Sequence, residues 1–161
     1  MSDIPPMTEQ LHPSHGFFSE HVHILPTRVY YEDTDFSGVV YHGAYVKFLE
    51  RGRTEYLRAV GVHHKEMLEL DEPIAFIIQK LNLEYKRPAR IDEALEVRTV
   101  FYQSKGVRLR ADQSVWRGDE LLVDAQVTAA CINLSGAPRR MPKFVADAVA
   151  PHLIAGDPTW A

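Results

Sequence analysis

The second half of the chain alternates between apolar and polar residues over four long runs, and few folds accommodate that pattern. Leu81, Leu83 and Tyr85 alternate with Asn82, Glu84 and Lys86, and Leu95, Val97, Thr99 and Phe101 with Glu96 and Arg98. Val107, Leu109, Ala111 and Val115 alternate with Arg108, Arg110, Asp112 and Ser114. Leu121, Val123, Ala125, Val127, Ala129 and Cys131 follow, against Asp124, Gln126 and Thr128. A period of two is that of a strand with one buried face. Pro88 and Asp92, then Ser104-Lys105-Gly106, then Gly118-Asp119 mark the turns. These links are too short for crossover helices, so the sheet is expected to be mainly antiparallel.

One segment has a different period. Tyr45, Phe48, Leu49, Gly52, Tyr56, Leu57 and Val60 recur at three- and four-residue steps, which predicts a helix from about Gly43 to Val60. Arg51 and Glu55, four apart on its polar side, are placed to pair. Gly61 suits the residue just past the helix end. Gly52 lies on the apolar stripe, where glycine costs about 1 kcal/mol against alanine. Its presence there predicts very close packing on a flat surface such as a sheet. A short last helix is expected over Met141–Ala150, opening at Pro142. One long helix covering a curved antiparallel sheet is an α+β domain.

The 161 residues suit one domain, expected over residues 27–150 with ordered structure opening on the strand formers Arg28-Val29-Tyr30-Tyr31. Residues 1–26 carry Pro5, Pro6, Pro13 and Pro26 without periodicity and are expected to be a solvated, mobile tail, with a second tail at 151–161. His12, His15, His21 and His23 fall in the first tail, but their spacing fixes no metal geometry, so no metal or other cofactor is expected. Lys plus Arg is 18 against 22 for Asp plus Glu, a formal charge of −4, which argues against a general nucleic-acid binder. Cys131 is the sole cysteine, so neither an intrachain disulfide nor a cysteine-based zinc site can form; on an apolar phase, it reads as a core residue. No apolar run approaches a membrane span, Ile74–Ile78 being among the longest, and no cationic-then-apolar leader opens the chain. The expectation is a cytoplasmic protein.

The densest polar and aromatic stretch runs from Tyr30 to Gly43, between the first strand and the helix. Asp33, Asp35 and His42 therefore sit close to a helix N-terminus, which offers unpaired N–H groups and partial positive charge. No Ser, Thr, Asp or Asn stands at His42–Ala44 to cap those donors, which leaves them for a ligand oxygen or for water.

Tyr31-Glu32-Asp33-Thr34-Asp35, then Gly38-Val39-Val40-Tyr41-His42 and Tyr45, closely resembles the 4-hydroxybenzoyl-CoA thioesterase-like branch of the hotdog-fold family. Within that branch the chain is most similar to the acyl-CoA thioesterases associated with the bacterial Tol–Pal system. The resemblance continues through Phe48, Glu50-Arg51, Arg53-Thr54-Glu55, Leu57-Arg58, Glu84-Tyr85 and Pro88-Ala89-Arg90 to Pro142-Lys143, covering residues 28 to about 146.

The resemblance implies a bent antiparallel sheet wrapped round a central helix, and a homodimer or homotetramer with active sites at the subunit interface. It implies acyl-CoA as substrate and cell-envelope or lipid-synthesis proteins as partners. Asp35 falls on the family's catalytic carboxylate, and His42 on the residue whose backbone N–H polarises the thioester carbonyl. Tyr41, Gly43 and Tyr45 fall beside them as substrate-binding positions, with Tyr41 and Tyr45 lining the acyl pocket or the core. Asp33 either tunes Asp35 by like-charge repulsion or caps the turn, the second being favoured. Some hotdog thioesterases carry their carboxylate on the helix; with Asp35 present, Glu50 reads as a supporting residue. The nucleotide of CoA calls for local cations. Lys86, Arg87 and Arg90 make one cluster and Lys105, Arg108 and Arg110 another, and of the family's basic run at the Gln103–Gly106 turn only Lys105 remains. Two other activities fit the same fold: a hydroxyacyl-thioester dehydratase using His42, and a non-catalytic acyl-CoA-binding or scaffold module.

Overall fold

A computed structural model describes residues 13–102 and 106–156. Six strands form one antiparallel sheet: β1 (Phe17–Ser19), β2 (Val22–Arg28), β3 (Ile74–Tyr85), β4 (Ala94–Tyr102), β5 (Arg108–Arg117) and β6 (Glu120–Asn133), in the order β1-β2-β4-β5-β6-β3. The alternating runs are β3 to β6, and their apolar phases supply Leu95, Val97, Phe101, Leu109, Ala111, Val115, Val123, Val127 and Cys131 to the core. Lys105 lies outside the described residues, as do Ser104 and His12.

The central helix, α1 (His42–Ala59), lies across β2, β4 and β5. Its first half buries Tyr45, Phe48 and Leu49 against Leu25, Leu95 and Val97, and its second half buries Tyr56 and Leu57 against Phe101 and Leu109. Gly52 sits where the two layers touch. A Cβ built on it would lie 2.7 Å from Val97 Cγ1, 3.0 Å from Thr99 Oγ1 and 3.2 Å from Gln113 Nε2. Gln113 is fully buried and knots the layers together: its amide donates to Leu49 O and Thr99 Oγ1, each at 2.9 Å, and its carbonyl accepts from Arg53 at 2.8 Å. Gly61 follows the helix with φ +87°, the left-handed conformation expected of it. Glu55 does not pair with Arg51; it turns to Arg58 Nε at 3.3 Å and His15 Nδ1 at 3.0 Å. A short α2 (His64–Leu68) and a helix α3 (Lys143–Val149), with Pro142 at its N-cap, are the other α-helices among the described residues.

The sequence boundaries at both ends need correction. Residues 17–26 are not tail: Phe17–Ser19 pairs with Val22–Ile24, and His23–Arg28 pairs with Thr99–Ala94 of β4. Pro26, one of the four prolines that marked the expected tail, lies past the end of β1, where β2 has no neighbour on that side among the described residues, so its absent N–H is not missed there. Arg28 closes β2 instead of opening a strand, and Tyr31–Asp33 is a turn of 3-10 helix. At the other end, residues 150–152 form a 3-10 turn and Ile154 N–H bonds to Phe101 O at 2.9 Å.

Candidate active site

The Tyr30–Gly43 loop is braced by Asp33 and bent by Asp35. The Asp33 carboxylate accepts from Tyr30 N–H at 2.8 Å, and its carbonyl accepts from Tyr41 N–H at 2.8 Å. One buried residue thus ties the entry of the loop to its exit, which is the capping role. Asp35 N–H donates to Val39 O at 2.9 Å and Asp35 O accepts from Gly38 N–H at 3.1 Å, closing a tight turn in which Gly38 takes φ +81°. The loop then bridges Val39 to Arg90, and Val40 N–H donates to Ala89 O at 2.8 Å.

The Asp35 carboxylate is half-exposed and held by Ser37, whose hydroxyl donates to Oδ1 at 2.5 Å and whose N–H donates to the same oxygen at 2.8 Å. Those two bonds stabilise the charged form and hold the carboxyl below the usual aspartate range, with a smaller contribution from the nearby His42. Ser37 was absent from the candidates read from sequence. The signal was present: Asp followed two residues later by Ser is the pattern of a side-chain-capped turn.

Helix α1 opens without a cap. Tyr41 is the N-cap, with φ −59° and ψ 136°, and its side chain makes no capping bond. Ala44 N–H returns to Tyr41 O at 2.9 Å, whereas among the described residues nothing accepts from the N–H groups of His42 and Gly43. The His42 side chain is exposed, and its ring lies 4.3 Å from that of Tyr41. Gly43 lets that tyrosine fold back over the first turn, since a Cβ would meet Tyr41 Cε1 at 2.7 Å. Tyr45 is buried in the core, and its hydroxyl accepts from Ala89 N–H at 2.9 Å.

A cleft of about 260 Å³ opens beside His42, walled by Val40, Tyr45, Tyr85 and Pro88 and rimmed by Lys86 and Arg87. The two cations are engaged with Glu84 at 3.1 Å and Glu120 at 3.0 Å. Of the second basic cluster, Arg108 donates to Gln79 Oε1 at 3.0 Å. Tyr85, at the end of β3, donates its hydroxyl to His42 O at 2.8 Å. No local sequence pattern announces that bond, because it joins residues 43 positions apart. Glu50 is turned elsewhere: it accepts from Thr54 Oγ1 at 3.1 Å at the mouth of a separate apolar cavity of about 130 Å³ that also holds His64 and Leu57.

The chain matches the model of the thioesterase-like superfamily over residues 29–149 and belongs to that family. It is 42% identical over 122 residues to the acyl-CoA thioester hydrolase YbgC of Escherichia coli, covering 74% of this chain and 90% of the relative. The acyl-CoA thioesterase YbgC of Haemophilus influenzae is 40% identical over 122 residues, with coverages of 75% and 89%. Among solved structures, one described as a probable thioesterase from Bartonella henselae superposes with a TM-score of 0.73 at 40% identity, covering 75% of this chain and 99% of that one. The α+β architecture is therefore the hotdog fold, and the protein is a thioesterase.

Proposed function

We propose that the protein hydrolyses acyl-CoA thioesters to a free acid and CoA, with Asp35 as the catalytic carboxylate and the N–H of His42 as the donor to the thioester oxygen. The observation that supports this most directly is the pairing of a carboxylate kept ionised by Ser37 with an uncapped helix start on the same loop. As the carbonyl is attacked, charge develops on its oxygen, and preorganised donors at that oxygen contribute roughly a hundred- to thousand-fold in rate. Gly43 N–H stands beside His42 N–H as a second donor. The Asp35 carboxylate either attacks the carbonyl carbon, expelling the CoA thiolate and leaving an anhydride that water opens, or takes a proton from the attacking water.

The cleft beside His42 suits the thioester end of the substrate, Tyr41 and Tyr45 flank the acyl group, and Lys105 serves the nucleotide. The subunit functions as a homodimer or homotetramer. In support, β3 is an edge strand of twelve residues whose Ile77 and Ile78 remain 42% and 45% exposed, a surface that a second copy would cover.

Asp35→Asn keeps the shape and removes the charge. It is expected to lower kcat about a thousand-fold or more, because attack and its alignment are lost together. Binding of acyl-CoA and the oligomer are expected to persist. Asp33→Asn, which alters a turn brace, is expected to cost far less activity. Retention of a tenth of the activity by Asp35→Asn, or greater damage from Asp33→Asn, would mean the site is elsewhere. Single turnover in ¹⁸O-water tests the nucleophilic route: label in the Asp35 side chain indicates an anhydride opened at the Asp35 carbonyl, whereas activated water puts label in the product acid alone.

A further inference from the structure

We infer that Tyr85 is a positioning residue of the active site: through its hydrogen bond to the His42 carbonyl it fixes the peptide unit that carries the Gly43 N–H. This rests on the reading of the His42 and Gly43 amides as donors to the thioester oxygen. A peptide unit is rigid and planar, so the carbonyl of one residue and the N–H of the next point in opposite directions and turn as one body. A hydroxyl that holds the His42 oxygen at 2.8 Å therefore also aims Gly43 N–H. The helix ladder engages the carbonyl of that unit but leaves its N–H free, so the Tyr85 hydroxyl adds a second hold on the oxygen. The unit lies in the first turn of α1, where the N–H has no acceptor among the described residues, and it precedes a glycine, whose backbone is the least restrained of any residue.

Tyr85 is half-exposed, and strand pairing and two ring contacts place it. It is the last residue of β3, paired with Val123 of β6. Its ring packs edge-on against those of Tyr45, at 5.7 Å between centroids, and His42, at 6.5 Å. The hydroxyl has one proton to give and spends it on His42 O. Donation to a carbonyl also polarises the peptide and strengthens the N–H on its far side, as in any chain of hydrogen bonds. The sheet edge thus aims the helix start, and the aim is set before substrate arrives.

Tyr85→Phe removes the hydroxyl and keeps the ring. It is expected to lower kcat roughly five- to ten-fold, the weight of one neutral hydrogen bond acting in the transition state, with KM for acyl-CoA nearly unchanged. The melting temperature is expected to stay within about 4 °C of wild type, since a single bond is lost from a domain of this size. A readout independent of turnover goes with it: in the ¹⁵N-labelled protein the Gly43 amide resonance is expected to shift and its hydrogen exchange to quicken. An unmoved Gly43 amide overturns the positioning. A moved amide with wild-type kcat overturns its bearing on the reaction, as does a rise in KM at unchanged kcat. If the wild-type chain hydrolyses no thioester, the functional reading falls separately, and the Gly43 amide still decides whether Tyr85 orients that peptide.

Discussion

Two aspartates two positions apart do different work because their neighbours differ. Asp33 spends its carboxylate on a backbone N–H of its own turn and is buried, while Asp35 faces outward with Ser37 as its only side-chain donor among the described residues. Ser37 is thus the lever on the proposed catalytic group. Its two bonds favour the ionised form, so the folded-state value lies below that of an ordinary aspartate. Ser37→Ala deletes the larger of the two contributions and keeps the backbone bond. The Asp35 value is then expected to rise toward that of an ordinary aspartate, and the acid limb of the kcat/KM profile to move to higher pH. Profiles of wild type and variant between pH 3 and 7 check this, within about the range where an aspartate titrates. An acid limb that stays put would show that another group governs it. The Asp35 and His42 positions were legible in the sequence because a motif carries them. Ser37 was legible in principle through its turn spacing, and Tyr85 was not, since nothing within a few residues of it records a bond to a distant helix.

The helix and sheet meet at a place chosen by one glycine. Its position on an apolar stripe predicted close approach, and the structure gives the reason: Val97, Thr99 and Gln113 occupy the space a side chain would need. The buried amide of Gln113 could also have been read. It stands in phase with Leu109, Ala111 and Val115, and a polar residue on an apolar phase asks for partners inside the core. What the pattern could not supply is their identity, because Leu49 O, Thr99 Oγ1 and Arg53 come from two other elements. Gly52→Ala sets two effects against each other. Helix propensity gains about 1 kcal/mol. The added methyl meets Val97 Cγ1 at 2.7 Å, and forcing a methylene into a packed layer costs about 1–3 kcal/mol. It also presses on the Gln113 knot. The clash is expected to win, with a net loss of up to about 2 kcal/mol in chemical denaturation. A variant as stable as wild type would show that the layers can part at no cost.

At the scale of the whole molecule, the N-terminal hairpin is a clasp between the two ends of the chain. Phe18 stacks on His152 at 4.5 Å and meets Tyr56 edge-on at 4.9 Å, and His21 Nδ1 reaches His152 O at 3.2 Å. Its histidines, scattered among prolines and without a fixed spacing, read as solvated residues; pairing with β4 puts one of them inside the core. His23 is fully buried, with Nε2 bonded to His15 O at 2.8 Å and Nδ1 without a partner among the described residues. The ring is packed by Phe18 and Tyr56, and Glu55 is the acidic group that acts on it. Burial outweighs both the backbone bond and Glu55, so its value lies below the ordinary 6.5. The sign follows from which state takes the proton. Below about pH 6.5 the unfolded chain protonates this histidine while the folded chain resists, so acid favours unfolding, by up to about 1.4 kcal/mol per pH unit for one proton. The contribution is complete above the unfolded value and is lost as the pH falls toward the folded one. His64, also lowered by burial, adds to the same slope. Unfolding free energy is therefore expected to fall between pH 7.5 and 5.5, a window of about two units in which carboxylates remain charged. His23→Gln keeps an N–H for His15 O but cannot titrate. It is expected to be less stable at pH 7.5, because ring contacts are lost, and to show a shallower decline toward pH 5.5. Denaturant titrations of both proteins across that range measure the two slopes, and equal slopes would remove His23 as the source of the acid sensitivity.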